Sequence, residues 1–551
     1  MARKALWFVL VVLLSVFSFK SLLRPGYFPM HDDMQAMRVF EMDRCLKDGQ
    51  FPCRWVPDMG YGYGYPQFIF YSPLPYYVME GFHLVGLSFL DSVKAGFAVS
   101  FVFSGLAMFL LGRSLWGEWG GLVSALFYVY APYRASDAFS RGAVGEFWAL
   151  VFLPFIFWAI LELVKKAKTK YLIFLSLSYA GLLLTHNITT IAFTPLAVAW
   201  GIFLLWYYRK WNLLPRLILA GIWGIGMAAF FILPVIFERN YVHVETMVMG
   251  YFNYLAHFVS LKQLFFSPFW GFGSSELGSY DDLSFAIGLL HWLFAGLAFL
   301  LSFLYRKKEK IFGFVAFLFL AFLGTCFMSH QKSIAIWNIL PFLAYFQFPW
   351  RFLGVATFAA SALCGAIIAL TPKSKGELAF LMVLGVIFFN GFYFNPSKWY
   401  DITDQQKFSG ELWEKQLTIS IFDYLPKSAE FPPDSKAPDV PELIEGKGEI
   451  IEYQKGSDWQ KGIVEVEKKA SLRFPLYYFP GFKVWVGGKQ TAIDYKNKLG
   501  LITIDVPPGK HEVYVKLKRT WPRIVGDIVS ILSFTVLPGI LIYERKNKKN
   551  S

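Results

Sequence analysis

Two adjacent carboxylates open the first polar stretch of the chain, in the sequence MHDDMQAMRVFEMDRCL that follows the first apolar segment. Asp32 and Asp33 precede apolar residues at helical spacing, including Met34, Met37 and Met42, which predicts an amphipathic helix lying on a membrane surface. Either aspartate can be the N-cap of that helix. Either can instead act as a general base or a cation ligand at the bilayer surface, and one can cap while the other does chemistry.

A run of aromatic residues and glycines follows in the same polar stretch, RWVPDMGYGYGYPQFIFYSPLPYY. It contains Arg54 and three alternating tyrosines, Tyr61, Tyr63 and Tyr65. Aromatic faces suit stacking on a sugar or a position at a lipid boundary. The alternative is structural, since the glycines and Pro66 make an irregular loop that packs on helices.

Four charged residues are concentrated in the next polar segment, PYRASDAFSRGAVGEFW, which separates two apolar runs. They are Arg134, Asp137, Arg141 and Glu146. Guanidinium groups are suited to bidentate recognition of phosphate. The competing interpretation is that the arginines snorkel to the interface and form ion pairs within the segment.

Two further polar residues lie at the ends of apolar segments: His186 in LLLTHNITT and Arg351 in FQFPWRFLG. A histidine at a helix end is most simply a hydrogen-bonded structural residue. Arg351 is a further candidate for contact with a phosphate. Both residues are kept as candidates for substrate binding.

The composition excludes a soluble protein. Of 551 residues, 56% are hydrophobic, 19% are aromatic and only 17% are charged, so much of the apolar surface must face lipid. The formal net charge of +14 falls in short clusters between apolar segments. It therefore indicates membrane topology rather than binding to nucleic acid.

About twelve apolar segments approach the length that a membrane-spanning helix needs: 5–23, 92–112, 118–132, 146–164, 171–186, 188–206, 217–236, 284–304, 311–328, 352–370, 377–394 and 523–543. With this count the basic clusters all fall on one side, which the positive-inside rule assigns to the cytoplasm. The sequence thus predicts a multi-pass protein of the cell membrane with its long polar stretches, 24–91 and 395–522, on the extracytoplasmic face. Cys45 and Cys53 can pair if the first of these is oxidised, and two free thiols are the alternative.

Residues 395–522 differ in character from the rest of the chain. Segments such as EIIEY, GIVEVE, KVWV, LITIDV and HEVYVKL alternate apolar and polar residues and are separated by turn signals, which predicts a small β-sandwich. The predicted domains are a transmembrane part, 1–394, the β domain, 395–522, and a last span with a basic tail, 523–551. The aromatic residues at 477–479 and 482 are expected to fill the core of the sandwich rather than bind glycan.

The sequence lacks the motifs that are typical of several classes of function. The sequence contains no phosphate-binding P-loop, no zincin motif, no nucleophile elbow and no Cys/His metal cluster. Acidic residues are nearly missing from the middle of the apolar segments, whereas ion-coupled pumps need them there. The sequence contains no internal or inverted repeat of the kind that many secondary transporters have.

Taken together, these blocks resemble a known family. The stretches HDDMQAMRVFEMDRCLKDGQFPCRWVPDMGYGYGYPQFIFYSPLPYY, PYRASDAFSRGAVGEFW and LLLTHN resemble the bacterial membrane proteins related to pyruvoyl-tetrahydropterin synthase, although nothing in the sequence suggests pterin chemistry. The segment FPLYYFPGFKVWVGGKQTAIDYKNKLGLITIDVPPGKHEVYVKL is similar to the terminal domain of YfhO-like membrane proteins. Both groups are similar to the glycosyltransferase C superfamily, whose members use polyprenyl-phosphate sugars on the outer face and have an acidic residue in the first outer loop.

The resemblance implies a fold and an activity. The fold is an α-helical polytopic membrane protein of the glycosyltransferase C type with a small extracytoplasmic β-sandwich domain. The activity is inverting transfer of a sugar from a polyprenyl-phosphate donor in the membrane lipid to a glycan, lipid or protein acceptor of the cell envelope. The alternative is a non-catalytic envelope assembly factor or a flippase for lipid-linked saccharides.

Roles for individual residues follow from the same resemblance. The acidic motif of the superfamily can match either Asp32 or Asp33; Asp33 is taken as the expected base, with Asp32 as the second candidate. Arg134, Arg141 and Arg351 are expected to hold the phosphate of the donor, and the tyrosines of the first loop are expected to contact its sugar. The sequence implies no cofactor, apart from the option of a divalent cation held by the two aspartates.

Overall fold

The computed structural model describes residues 2–276, 283–305, 309–371 and 373–549. Its α-helices are, in chain order, α1 (Ala2–Phe19), α2 (Gln35–Lys47), α3 (Gln67–Phe70), α4 (Leu74–Leu84), α5 (Phe89–Val129), α6 (Pro132–Ala135), α7 (Val144–Lys166), α8 (Thr169–Leu183), α9 (Asn187–Tyr207), α10 (Leu214–Met227), α11 (Ala229–Glu238), α12 (Leu261–Phe265), α13 (Leu289–Leu304), α14 (Glu309–Ser329), α15 (Ile334–Ile339), α16 (Leu353–Leu370), α17 (Lys375–Asn390), α18 (Asp404–Lys407), α19 (Gly410–Thr418) and α20 (Trp521–Lys549). Its strands are β1 (Glu442–Glu445), β2 (Gly448–Lys455), β3 (Trp459–Val466), β4 (Ala470–Tyr477), β5 (Phe482–Val486), β6 (Lys489–Thr491), β7 (Leu501–Val506) and β8 (Gly509–Leu517).

The chain forms two compact units, and each is built from three separate segments. The first unit comprises Met1–Asp33, Leu90–Met227 and Val248–Ile402. The second comprises Met34–Phe89, Ala228–Met247 and Thr403–Ser551. The second unit thus joins most of the first polar stretch, helix α11 and the last helix to the β domain. The domains expected from the sequence are continuous ranges and keep these segments separate.

Apolar helices dominate the first unit. Among the described residues, seven helices are long and apolar enough to cross a membrane, and the bent pair Trp211–Met227 and Ala229–Tyr241 makes eight if it counts as one span. Helices α8 and α13 are apolar but shorter. Each of the twelve predicted segments contains a helix, so their helical nature is confirmed, whereas the number of crossings stays a prediction. The last segment lies in α20, whose side chains are described only to residue 536.

Helix α5 is a hairpin rather than one long rod. Its helical backbone is interrupted at Gly117, where φ is 85° and ψ is 179°. A Cβ atom built on Gly112 would lie 3.0 Å from the Cα atom of Gly121, and one built on Gly105 would lie 2.9 Å from Cγ2 of Val129. These pairs place the two halves side by side and antiparallel. The predicted segments 92–112 and 118–132 are therefore the two legs of this hairpin, which return the chain to the face from which α5 began.

The second unit contains the predicted β-sandwich. One antiparallel sheet has the strand order β1-β4-β7 and the other has the order β2-β3-β8-β5-β6. Side chains of both sheets share one hydrophobic core, which includes Leu472, Ile504, Val464 and Val515. Three of the four aromatic residues expected in the core, Tyr477, Phe479 and Phe482, are buried there.

Strand β4 is a correction to the sequence analysis, which does not identify it. Its sequence ASLRFPLY loses the two-residue alternation after Arg473 and contains Pro475. The register between β4 and β7 shifts between Arg473 and Tyr477, and such a bulge is where a sheet can hold a proline. The short edge strands β1 and β6 were also missed.

Helix α2 is the helix predicted after the aspartates, but it is not a surface helix. Nine of its thirteen residues are buried, including Arg38, Glu41 and Asp43. Its N-cap is Met34, with no hydrogen bond from a capping side chain. The N-cap interpretation of the aspartates is therefore wrong, because a capping side chain must occupy the residue directly before the helix to reach its first N–H groups. Cys45 near its end forms a disulfide bond with Cys53.

Candidate functional site

A buried turn between α5 and α7 carries most of the charged candidates of the first unit. Helix α6 is followed by a single π-helical turn, Ser136–Arg141, and Gly142 ends that turn with a φ of +65°. A Cβ atom on Gly142 would lie 2.5 Å from the sulfur of Met30. Only glycine therefore allows both the left-handed backbone and the close approach of the segment that leads to the aspartates.

Backbone hydrogen bonds attach that leading segment to the turn. The N–H of His31 donates to the carbonyl oxygen of Ser140 at 2.8 Å, and the N–H of Asp32 donates to that of Arg141 at 2.9 Å. Asp32 and Asp33 are half-buried. Burial and the charge of Arg141 lower the pKa of His31, while Asp32 acts to raise it. The first and second polar segments, which are far apart in sequence, thus meet at this turn.

Arg141 is the centre of the buried charge cluster. Its Nη2 donates to Oε2 of Glu146 at 2.9 Å, and its Nη1 donates to Oδ1 of Asp137 and, at 3.2 Å, to the hydroxyl of Tyr133. The guanidinium carbon lies 4.4 Å from the ring centroid of Trp350. A planar guanidinium can satisfy two carboxylates and a hydroxyl at once because its donors point in fixed directions.

Glu146 connects this cluster to a second arginine. Its Oε1 accepts the hydroxyl proton of Tyr133 at 2.6 Å, and its Oε2 lies 3.8 Å from Nε of Arg351. Arg351 also donates through Nη1 to the carbonyl oxygen of Phe346 at 2.8 Å. Burial and the charge of Glu146 raise the pKa of Asp137 well above its usual range, against the opposing effects of Arg141 and Arg134.

Arg134 is the unusual member of the cluster. Its side chain is fully buried, and none of its three nitrogens has a hydrogen-bond partner among the residues that the structure describes. The guanidinium carbon lies 4.5, 5.0 and 5.3 Å from the ring centroids of Phe147, Tyr128 and Phe101. Burial lowers the pKa of Arg134 to about 10, with Tyr128 and Asp137 acting in the other direction. It remains charged at neutral pH, stabilised by aromatic faces rather than by hydrogen bonds.

His186 has a structural position beside this cluster. It is the N-cap of α9, and its Nδ1 accepts the N–H of Thr189 at 3.3 Å. Burial lowers the pKa of His186 to about 3, Arg351 and Arg141 act in the same direction, and Glu146 acts against them. The imidazole is therefore neutral at neutral pH and carries its hydrogen on Nε2.

The candidates of the first polar stretch that follow the two aspartates lie in the second unit and are mostly internal. Nη2 of Arg54 donates to Oδ1 of Asp527 at 2.5 Å. The ring of Tyr63 is buried 5.5 Å from that of Tyr477, and the hydroxyl of Tyr65 donates to the carbonyl oxygen of Ser420 at 2.9 Å. These contacts favour the packing alternative for Tyr63 and Tyr65.

Tyr61 differs from its neighbours. It adopts a φ of +59°, and its backbone N–H donates to the carbonyl oxygen of Leu417 at 2.9 Å. Its side chain is only partly buried. Of the three tyrosines it is the one that a sugar could reach, and its role as a sugar contact stays a prediction.

Two residues of the cluster are missing from the sequence-based candidates, Tyr133 and Trp350. Both are adjacent in sequence to a predicted arginine, Arg134 or Arg351. Aromatic residues are so frequent in this chain that neither was distinguishable as part of a site. Both rings lie against Arg141, which is adjacent to neither of them in sequence, so no local pattern marked them.

The option of a metal ion finds little support in the arrangement of ligands. In the parts of the chain that the structure describes, no group of three or more His, Cys, Asp and Glu side chains could hold a metal ion. The carboxylates of Asp32 and Asp33 would supply only part of the oxygen shell that a divalent cation takes.

Comparison with known proteins identifies related sequences. The family model described as "6-pyruvoyl-tetrahydropterin synthase related domain; membrane protein" matches residues 68–395, which confirms the resemblance to that group seen in the sequence. An uncharacterized protein of Lactococcus lactis subsp. cremoris (strain MG1363) is 25% identical over 210 residues. This match covers 36% of the present chain and only 34% of the relative.

The solved structures found by comparison resemble this chain only weakly. The arabinofuranosyltransferase AftD from mycobacteria has a TM-score of 0.46 at 13% identity and covers 74% of this chain and 28% of its own. The oligosaccharyltransferase of Archaeoglobus fulgidus has a TM-score of 0.41 at 12% identity, covering 72% and 55%. ArnT from Cupriavidus metallidurans, bound to undecaprenyl phosphate, has a TM-score of 0.39 at 16% identity, covering 70% and 63%. TM-scores below 0.5 do not establish a shared fold.

Proposed function

The chain belongs to the family of membrane proteins with the 6-pyruvoyl-tetrahydropterin synthase related domain, and from this membrane setting we propose that it is a glycosyltransferase. Its donor is a polyprenyl-phosphate sugar. Its acceptor is a hydroxyl group of a glycan, lipid or protein on the extracytoplasmic face. The observation that carries the proposal is the pair of backbone hydrogen bonds that holds Asp32 beside Arg141, because they bring a carboxylate pair and a cationic cluster together.

The cluster has the charge that a phosphate group requires. Three guanidinium groups, those of Arg134, Arg141 and Arg351, accompany only two buried carboxylates, and the nearby His186 is neutral. Arg141 and Arg351 keep small exposed fractions of 9% and 14% of their side chains, so they are the proposed contacts to the phosphate. Arg134 is fully buried and acts through its charge, which is weakly screened in the protein interior.

The proposed reaction is a single displacement. The carboxylate of Asp33 removes the proton of the acceptor hydroxyl, whose oxygen then attacks the anomeric carbon from the side opposite the phosphate. The bond between that carbon and the phosphate oxygen breaks, and polyprenyl phosphate leaves with the electron pair. The configuration at the anomeric carbon inverts. The guanidinium groups stabilise the charge that develops on the leaving phosphate.

Donor binding can be tested through Arg134. We expect Arg134→Met to weaken binding of polyprenyl phosphate roughly tenfold, because it removes a nearby positive charge. Stability should fall less than on loss of Arg141, because in the described part of the chain Arg134 is held by contacts with aromatic rings and not by paired carboxylates. Native mass spectrometry of the purified protein, titrated with polyprenyl phosphate, measures the affinity.

The matched control is Arg113→Met, which removes an arginine at the turn of the α5 hairpin. Among the described residues, Arg113 forms one ion pair, with Glu118 at 3.8 Å. Equal affinity of the Arg134 variant, the Arg113 variant and the unmodified protein would contradict a phosphate site at the buried cluster. Mass spectrometry of lipid that copurifies with the unmodified protein would identify the donor class.

The proposed location also has a direct test. The disulfide between Cys45 and Cys53 supports an oxidising compartment for the second unit. In a variant whose Cys326 and Cys364 are replaced by alanine, a cysteine introduced by Lys489→Cys should react with a membrane-impermeant maleimide on intact cells. A cysteine introduced by Lys168→Cys should react only after permeabilisation. The opposite pattern would move the proposed site to the cytoplasmic face.

A further inference from the structure

The second unit contains a cavity of about 340 Å³ that no part of the proposed reaction uses. It is lined by residues 49–52 and Arg54 from the loop that the disulfide closes, by Asp458, by residues 516–519 at the end of β8, and by Arg523 at the start of α20. A volume of this size falls in the range of small-molecule sites.

The lining of this cavity is strongly cationic. Five cations face it with a single carboxylate, that of Asp458; the cations are Arg54, Lys516, Lys518, Arg519 and Arg523. Two carboxylates behind the wall, Asp527 and Glu238, pair with the buried Arg54 and Arg523 at 2.5 and 2.9 Å. Five cations are therefore accompanied by these three carboxylates, and positive charge remains in excess.

The excess charge lies at the rim. Lys518 has no ion-pair partner among the described residues, and its ammonium lies 5.4 Å from the ring centroid of Trp485. Arg519 is about half exposed, and it shares the carboxylate of Asp527, at 3.2 Å, with Arg54. Lys518 can turn toward an anion without breaking an ion pair, and if Arg519 turns, Asp527 keeps its pair with Arg54. The buried arginines keep the floor of the cavity positive.

Apolar surface borders the same cavity. Phe51, which lines it, is 67% exposed, and Trp521 at the first turn of α20 is 61% exposed. Further along this helix Ile524, Ile528 and Ile531 are about half exposed or more. A cationic pocket above a helix with an exposed apolar face, with tryptophan at the boundary, matches the headgroup level of a bilayer. A free anion would need no such apolar border.

We propose that this cavity binds the phosphate group of an anionic phospholipid, with Lys518 and Arg519 as its contacts at the rim. The acyl chains of the lipid then lie along the exposed apolar face of α20. This site is separate from the proposed catalytic cluster, and the proposal does not depend on glycosyl transfer.

The test uses the full-length protein in detergent and native mass spectrometry, with phosphatidylglycerol, phosphatidylcholine and inorganic phosphate as probes. We expect phosphatidylglycerol to bind in preference to phosphatidylcholine. The double variant Lys518→Gln/Arg519→Gln should weaken phosphatidylglycerol binding about 10- to 100-fold, as expected for the loss of two cations near a headgroup. The matched control, Lys461→Gln/Lys469→Gln, removes two exposed cations elsewhere on the β domain and should have no effect.

Two other results would overturn the phospholipid proposal, and a third would change the ligand. Unchanged affinity in the double variant, or equal binding of the two lipids, would overturn the proposal. Competition by millimolar inorganic phosphate would support the phosphate site but assign it to a soluble anion. If the double variant fails to fold, Lys518→Gln alone must still weaken binding, because the ammonium of Lys518 has only a ring contact in the described structure.

Discussion

Asp33→Asn is expected to lower sugar transfer by a factor of about 10² to 10⁴, the usual range for loss of a general base. A polyprenyl-linked donor keeps its tail in lipid and its phosphate at the interface, so the base must lie within a few ångströms of that surface. Asparagine has nearly the same shape but cannot accept the proton. Transfer from defined polyprenyl-phosphate sugars by the purified variant is the measurement.

The structure makes this experiment easier to interpret. Helix α2 begins after Met34 without a capping side chain, so the substitution removes no helix cap. The melting temperature of the variant is measured beside its activity, so that a loss of transfer caused by unfolding is recognised. Asp32→Asn is the matched control and should act less, because Asp33 is the proposed base. Full activity of the double asparagine variant would refute the catalytic assignment of the two aspartates.

Arg141→Met is expected to have the largest effect on stability, a loss of about 3–5 kcal/mol in the free energy of unfolding. Its guanidinium holds the buried carboxylates of Asp137 and Glu146, and methionine leaves both without that cation. Arg134→Met, by contrast, removes contacts with aromatic rings but, among the described residues, no paired carboxylate, and should destabilise the protein less. Thermal unfolding in detergent, followed by circular dichroism, compares the two variants.

A triple variant separates charge from packing. Arg141→Met combined with Asp137→Asn and Glu146→Gln should recover much of the lost stability, since neutral amides need no counter-ion in the interior. If the triple variant is as unstable as the single one, the loss comes from the contact of the guanidinium with Trp350. The buried carboxylates would then not be the cause of the lost stability.

The fold class could be predicted from the sequence because its signals are local. Apolar runs of sufficient length predicted the helices, since lipid requires backbone hydrogen bonds to be satisfied within each segment. Two-residue alternation predicted five strands of the sandwich, because alternate side chains of a strand point to opposite faces. The rule failed at β4, where a bulge and Pro475 interrupt the alternation.

The candidate site was predictable only as a set of residue types. The charged residues near Arg141 stand out against an apolar chain, and their grouping in sequence follows from one short turn between two helices. Which carboxylate pairs with which arginine was not predictable, because that depends on side-chain directions in the π-helical turn. The burial of Tyr63 and Tyr65 was equally hidden, since a tyrosine at a membrane surface and one in a core have the same sequence signal.

The sequence by itself determined that this chain is a helical membrane protein with a β domain and that its charges fall into a few short segments. Only the tertiary structure decided that Asp32 lies against Arg141, that Arg134 is buried among aromatic rings, and that Arg54 pairs with Asp527. Hydropathy and periodicity depend on neighbours along the chain. Burial and pairing depend on residues that are separate in sequence, in one case by hundreds of residues, and meet only when the chain is folded, so no local pattern records them.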